Sequence, residues 1–140
     1  PAVIKYDRAP GKFTVVYCGT PKARHIYTEG FAFLNETRKG QLVQILRDLD
    51  ALPAYYPGDA EVLLKVAKTE DGRLLCAVLN MSLDVIEELP LSVNGNAVKI
   101  EALTPDGAYK DVSFQKEGDR LILDLAAGVF DPVILVVTTE

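Results

Sequence analysis

The chain has 140 residues, of which 49% are apolar and 25% are charged, and its formal net charge is −5. This composition is typical of one globular domain and excludes a disordered chain, and the longest uncharged apolar run falls far short of the ~18 residues that a membrane span needs. The acidic balance argues against nucleic acid as the main partner, because binding to phosphates requires a basic face.

The charge is distributed unevenly along the chain. Residues 1–57 contain 8 Lys and Arg against 5 Asp and Glu, whereas residues 58–140 contain 7 against 15. Such asymmetry indicates two units of different origin. The first residue is Pro, with no apolar signal segment behind it, so we expect the chain to be a piece of a longer protein.

The first fifty residues combine one apolar run with one helical pattern. Residues 13–18 are β-branched and aromatic, which predicts a strand buried on both faces, as in parallel sheets. A helix is predicted from an N-cap at Asn35 to about Asp50. Its apolar stripe consists of Leu42, Ile45, Leu46 and Leu49. Strand, loop and helix together predict that residues 1–57 are a βα remnant of a preceding α/β domain.

The periodicity changes from 3.6 residues to 2 after the Tyr55-Tyr56-Pro57-Gly58-Asp59 corner, which is typical of β-strands. Turn signals then recur at regular distances, and Asn94-Gly95 is typical of a two-residue hairpin. Pro90 places its strand at a sheet edge or a bulge. The predicted strands cover residues 62–66, 73–80, 86–93, 97–103, 109–114, 120–125 and 133–138.

These elements predict the fold class. About seven short strands with regular turns are typical of an antiparallel, immunoglobulin-like β-sandwich over residues 58–140. Segment 73–80 is apolar on both sides and is predicted to be a central strand, and segments 109–114 and 120–125 are predicted to pair as a hairpin around Glu117-Gly118-Asp119. The chain is therefore predicted to be mainly β, with a strand–loop–helix segment before the sandwich.

Residues of catalytic type are few and scattered. His25 is the only imidazole and follows a predicted strand, where α/β proteins place active sites, but no Ser, Cys or Asp can be placed beside it. Cys18 and Cys76 lie in apolar runs without metal-ligand spacing, which favours buried free thiols over the alternative of a disulfide between them. No phosphate loop, paired carboxylates or calcium loop is found. The sequence therefore predicts no catalytic residue, no metal and no cofactor.

Three tyrosines are the candidate ligand-binding residues. Tyr55, Tyr56 and Tyr109 could form a platform for carbohydrate, because aromatic faces stack on sugar rings. The alternative is that Tyr55 and Tyr56 pack the corner segment onto the sandwich. The absence of Trp weighs against a carbohydrate-binding module, because such modules often expose several planar aromatic side chains.

A resemblance to a known family lies in four stretches of the chain. They are Phe33-Leu34-Asn35-Glu36 with Arg38-Lys39 and Gln41-Leu42, Leu52-Pro53-Ala54-Tyr55-Tyr56-Pro57-Gly58-Asp59, Gly72-Arg73-Leu74-Leu75-Cys76-Ala77-Val78-Leu79-Asn80, and Leu103-Thr104-Pro105-Asp106-Gly107. The chain resembles the C-terminal region of large bacterial glycoside hydrolases of the β-galactosidase type. In those enzymes a catalytic TIM barrel is followed by an α/β, flavodoxin-like domain and a small antiparallel β domain.

The resemblance implies a role but no site. Residues 1–57 would be the tail of the α/β domain and residues 58–140 the terminal β domain. The two catalytic glutamates of the family belong to the barrel, which needs ~200 or more residues and is absent here.

Three functions are therefore weighed. The first is a non-catalytic accessory domain that packs against other domains of the parent enzyme, or self-associates through its N-terminal βα segment. The second is a carbohydrate-binding module that uses the exposed tyrosines, and the third is a small enzyme that uses His25 or Cys18. No nucleic-acid or membrane partner is predicted.

Overall fold

The computed structural model describes residues 3–8, 11–16, 36–49 and 51–140. The chain divides into two compact units, Pro1–Leu52 and Pro53–Glu140, so the division falls at the start of the corner segment that contains Tyr55 and Tyr56.

The first unit contains a hairpin and a helix. Strands β1 (Val3–Arg8) and β2 (Gly11–Val16) are antiparallel, with Val3 opposite Val16 and Arg8 opposite Gly11. The expectation of a parallel arrangement for residues 13–18 is therefore wrong for their described part. Only two residues separate the two strands, and parallel pairing would need a crossover of about a dozen or more.

Helix α1 (Glu36–Asp48) lies within the predicted range. Its predicted apolar stripe is only partly covered, because Leu42 and Leu46 are exposed. With 13 residues, this helix is too short to cross a membrane, and the described part of the chain has no other candidate span.

The second unit consists of two antiparallel sheets that face each other across a common apolar core, as the sequence predicts. The strands are β3 (Ala54–Tyr55), β4 (Val62–Lys68), β5 (Leu74–Asn80), β6 (Leu89–Val93), β7 (Ala97–Leu103), β8 (Tyr109–Asp111), β9 (Phe114–Glu117), β10 (Arg120–Leu123) and β11 (Pro132–Thr139). One sheet has the strand order β4-β5-β11-β7-β8 and the other has the order β3-β6-β10-β9.

Period-2 alternation builds the core. Along β5 every second side chain is buried, beginning at Leu74 and ending at Asn80. The opposite sheet supplies its own alternate residues, so that apolar side chains from both sheets meet in one layer. The largest fully buried apolar side chains are Leu89, Leu91, Ile100, Leu123, Leu135, Val78 and Val137.

Of two predicted hairpins, one is wrong and the other is confirmed with a shorter first strand. Asn94-Gly95 does not join paired strands, because β6 pairs with β3 and β10 whereas β7 pairs with β11 and β8. Gly95 has the positive φ (98°) that the sequence suggests, but its turn carries the chain from one sheet to the other. The hairpin around Glu117-Gly118-Asp119 is confirmed, because β9 pairs with β10 across it. Its first strand is shorter than predicted, since segment 109–114 is divided and β8 pairs with β7 instead.

Pro90 lies where the sequence places it, at an edge. Strand β3 pairs only with Val93 and Ser92 of β6, so β6 has a neighbour on one side alone at Pro90, which is opposite Ile122 of β10. A residue without an N–H group can be accommodated there without loss of a ladder hydrogen bond.

Candidate functional site

Tyr55 lies on the outer face of the four-stranded sheet. Ala54 before it belongs to the core, and Tyr55 pairs with Ser92 of β6. The Tyr55 hydroxyl donates a hydrogen bond to Asp119 Oδ2 (3.2 Å), and the buried Ser92 Oγ donates to the backbone oxygen of the same residue (2.7 Å). Tyr55 is thus bound to the turn between β9 and β10.

Tyr56 follows directly after β3 and packs against the core. Its ring lies directly over Gly58, where a Cβ would overlap the phenol. Burial is the main cause that raises the pKa of the Tyr56 hydroxyl above its usual value. The environment of Tyr56 therefore agrees with the alternative to sugar binding, in which the corner segment packs onto the sandwich.

Tyr109 belongs to the other sheet. It lies on β8, opposite Leu103 of β7, and is half-exposed. Strands β8 and β9 are consecutive and form one edge of the sandwich, whereas β3 lies at the far end of the four-stranded sheet. The structure therefore does not bring Tyr109 together with Tyr55 and Tyr56 on one platform.

Of the residues of catalytic type, only Cys76 lies in the part of the chain that the structure describes. His25 and Cys18 lie outside the described residues. Cys76 is fully buried as a free thiol, and desolvation raises its pKa to about 11, so it is protonated at neutral pH and unsuited to nucleophilic attack. Within the residues that the structure describes, no group of three or more His, Cys, Asp or Glu side chains could hold a metal ion.

The burial of Cys76 predicts that its thiol reacts very slowly with thiol reagents in the folded protein. In a Cys18→Ser variant, which leaves Cys76 as the single thiol, we expect negligible reaction with Ellman's reagent at pH 8 in the folded protein. A thiol of pKa about 11 carries about 100-fold less thiolate at that pH than one with the ordinary value of 9.0, and burial blocks access as well. Reaction in 6 M guanidinium serves as the control, and rapid modification of the folded protein would contradict the buried position.

The five-stranded sheet has an unusual outer face. Residues 75, 77 and 79 of β5 alternate with its core residues, and all three are apolar. The register places Leu79 opposite Leu63 of β4, and Leu103 opposite Tyr109. We call this surface the outer apolar face; its residues are Leu63, Leu75, Ala77, Leu79, Leu103, Tyr109, Ile134 and Val136.

Several of these side chains are in contact with solvent. Leu63 is 45%, Leu103 39% and Tyr109 50% exposed. An antiparallel sheet at the surface of a protein usually places apolar residues on one face and polar residues on the other. This sheet is apolar on both faces across its centre, so its outer side has the character of an interface.

A network of ion pairs borders the outer apolar face. Glu101, largely buried, accepts from Lys99 Nζ (2.8 Å) and lies 4.0 Å from Arg73 Nη1. Lys99 also pairs with Asp111 (3.1 Å), and Arg73 Nε pairs with Asp71 (2.8 Å). Hydrogen bonds to Glu101 and Asp111 raise the pKa of Lys99. An apolar centre with a charged rim is the usual anatomy of a protein interface.

One feature of the sequence indicates the outer apolar face, although it does not indicate a function. The uninterrupted apolar run from Leu74 to Leu79 predicts a central strand with two covered faces. The side that faces the core is buried, whereas Leu75, Ala77 and Leu79 on the other side are partly exposed. Neither a scan against models of protein families nor a search of curated proteins finds a match to the chain.

Proposed function

We propose that this chain is a non-catalytic accessory domain of a glycoside hydrolase, and that its sandwich packs against another domain or subunit through the outer apolar face. The observation that supports packing is the apolar outer side of the five-stranded sheet. The assignment to a glycoside hydrolase rests on the resemblance of residues 33–42, 52–59, 72–80 and 103–107 to the C-terminal region of that family.

The dimensions of the outer apolar face suit contact between domains. Each outward position occupies about 33 Å², because strands lie ~4.8 Å apart and outward residues of one strand ~6.8 Å apart, so the eight residues of the face cover about 260 Å². The largest apolar patch on a monomer is typically about 300–600 Å² and is often functional, and one side of an inter-domain interface buries about 300–750 Å². The face together with its charged rim approaches this size. Contact with a partner would remove Leu63, Leu103 and Tyr109 from water.

Parentage is tested by the reading frame upstream of Pro1. An open frame that encodes a (β/α)₈ pattern followed by an α/β domain supports the proposal. A frame that is closed, or that encodes unrelated segments, contradicts the assignment to a glycoside hydrolase.

The packing surface is tested by substitution of its exposed residues. We expect Leu63→Lys with Leu103→Lys to weaken association of this chain with the separately expressed upstream segment at least tenfold, because two charges would be buried without partners. Analytical ultracentrifugation gives the dissociation constant. Val98→Lys, at a strand position of similar exposure away from the face, is the control, and equal affinity of all three proteins would overturn the proposal.

Sugar binding is the alternative, and the half-exposed Tyr109 ring is the observation that favours it. Calorimetric titration with β-galactosides and plant polysaccharides separates the two functions. Flat heats up to millimolar ligand would remove the alternative, whereas heats abolished by Tyr109→Ala would establish it.

A further inference from the structure

Two loops at one end of the sandwich expose a second set of apolar side chains. One loop follows β5 and the other precedes β11, on the end of the molecule that carries Asn80. Leu83 is 92% and Phe130 64% exposed, which is unusual for large apolar residues. We call this set the apolar tip; it consists of Met81, Leu83, Val85, Val129 and Phe130.

A buried polar side chain holds the two loops. Asn80 Nδ2 donates to the backbone oxygens of Asp84 (2.8 Å) and Ala127 (3.0 Å). Its Oδ1 accepts from Ser82 N (3.0 Å) and Ser82 Oγ (2.6 Å), so both ends of the amide are satisfied. Ile86 and Ala127 then exchange two backbone hydrogen bonds across the loops. The tip side chains are displayed from a backbone that is fixed by hydrogen bonds.

Phe130 has an unfavourable backbone conformation. Its φ is 56°, the only positive value at a non-glycine residue in the described part of the chain. It occupies the third position of a turn in which Asp131 N–H donates to Gly128 O (3.2 Å), a position where Gly is favoured. Because the side chain is largely exposed, packing within this unit does not offset the strain.

The surroundings of the apolar tip are acidic. Residues 74–98 and 121–140, which contain both loops, have no Lys or Arg. The exposed carboxylates of Asp84, Glu87, Glu88 and Asp131 lie beside the apolar residues along the chain. An anionic lipid surface or a nucleic acid would be repelled, whereas a basic partner would be attracted.

We propose that the apolar tip is a docking site for a basic, amphipathic segment of another protein. Leu83 and Phe130 would insert between the apolar side chains of the segment, and the surrounding carboxylates would pair with its Lys and Arg. A central aromatic anchor with a charged rim is the arrangement found at binding hot spots. Met81 adds an adaptable contact of the kind that helix-binding surfaces use. This inference does not depend on the proposed function.

The test uses a synthetic 14-residue helix of Leu and Lys with one apolar face, labelled for fluorescence anisotropy. We expect Leu83→Asn with Phe130→Gly to weaken binding of this peptide at least tenfold, and Val98→Asn to leave it unchanged. Rising salt should weaken binding to the unaltered protein. Because Gly removes the backbone strain, Phe130→Gly alone should keep or raise Tm by a few degrees, so loss of binding would not reflect unfolding.

Several results would overturn the docking site. They are equal binding of the peptide by the tip variant, equal binding of a peptide with the same composition but no apolar face, and preferential binding of phosphatidylserine vesicles. A fall in Tm of several degrees for Phe130→Gly would show that Phe130 has a structural role instead. The Leu63→Lys, Leu103→Lys variant should bind the peptide normally, which separates this site from the outer apolar face.

Discussion

Leu135→Ala is expected to lower the free energy of unfolding of the sandwich by about 3–5 kcal/mol. Leu135 lies on β11, the middle strand of the five-stranded sheet, and is fully buried. Its cross-strand neighbours are Cys76 on one side and Ala102 on the other. Because both neighbours are small, they cannot fill the cavity that Ala would leave. Urea denaturation followed by circular dichroism measures the change.

Leu83→Ala is the matched control for this prediction, because the same three carbon atoms are removed from a side chain that is 92% exposed. We expect its free energy of unfolding to stay within about 0.5 kcal/mol of the unaltered protein. Equal destabilisation by the two substitutions would mean that Leu135 is not at the centre of the core. Since a domain of this size is stable by about 5–10 kcal/mol, the Leu135 variant should unfold at markedly lower urea.

Strands could be predicted from the sequence where the pattern of consecutive residues indicates them. Ala97–Leu103 is observed with the predicted bounds, and β5 begins one residue later than predicted. Alternation between core and surface is a property of consecutive residues, so a sequence shows it directly. The short strand β3 was missed because two residues, Ala54 and Tyr55, show no alternation of their own.

Strand pairing could not be predicted in the same way. The Asn94-Gly95 signal correctly indicates a turn with a positive φ at Gly95, but which strands the turn connects depends on the entire sandwich. Segment 109–114 reads as one strand, yet Val112 N–H bonds to Ile100 O while Asp124 N–H bonds to Ser113 O. These two bonds draw neighbouring residues to different sheets, and no local pattern contains that information.

The tyrosines, the outer apolar face and the apolar tip could likewise be predicted only as far as they depend on neighbouring residues in the sequence. The different surroundings of Tyr55 and Tyr56 depend on strand β3, which has no signal in the sequence, and the separation of Tyr109 from both depends on the strand order. The apolar run in β5 indicates two covered faces, but only the structure shows that one lies outside the core. The apolar tip escaped prediction because exposed Leu83 and Phe130 look like ordinary core residues in a sequence.

Asn80→Ala is expected to lower the free energy of unfolding by about 3 kcal/mol, although Asn80 is polar. The substitution removes four hydrogen bonds at a fully buried site, whereas Ala127 O keeps the Ile86 N–H and Asp84 O keeps the Ser82 hydroxyl as donors. Each hydrogen bond that is lost contributes about 0.5–1.5 kcal/mol net. Ser92→Ala is the control, because Ser92 is equally buried but makes one such bond, and should cost about 1 kcal/mol.

Asn80→Asp separates the hydrogen bonds from the volume of the side chain. It retains an acceptor for Ser82 but directs a buried negative charge at the two backbone oxygens that Asn80 serves. Burial and these oxygens should raise the pKa of the new carboxyl, so this variant should be less stable at pH 7 than at pH 4, where the protonated group can donate. If this variant were as stable at pH 7 as the unaltered protein, the hydrogen bonds from Asn80 Nδ2 to the two backbone oxygens would be contradicted. Because Asn80 also fixes the loops that carry Leu83 and Phe130, Asn80→Ala should weaken binding of the basic peptide even under conditions where the sandwich remains folded.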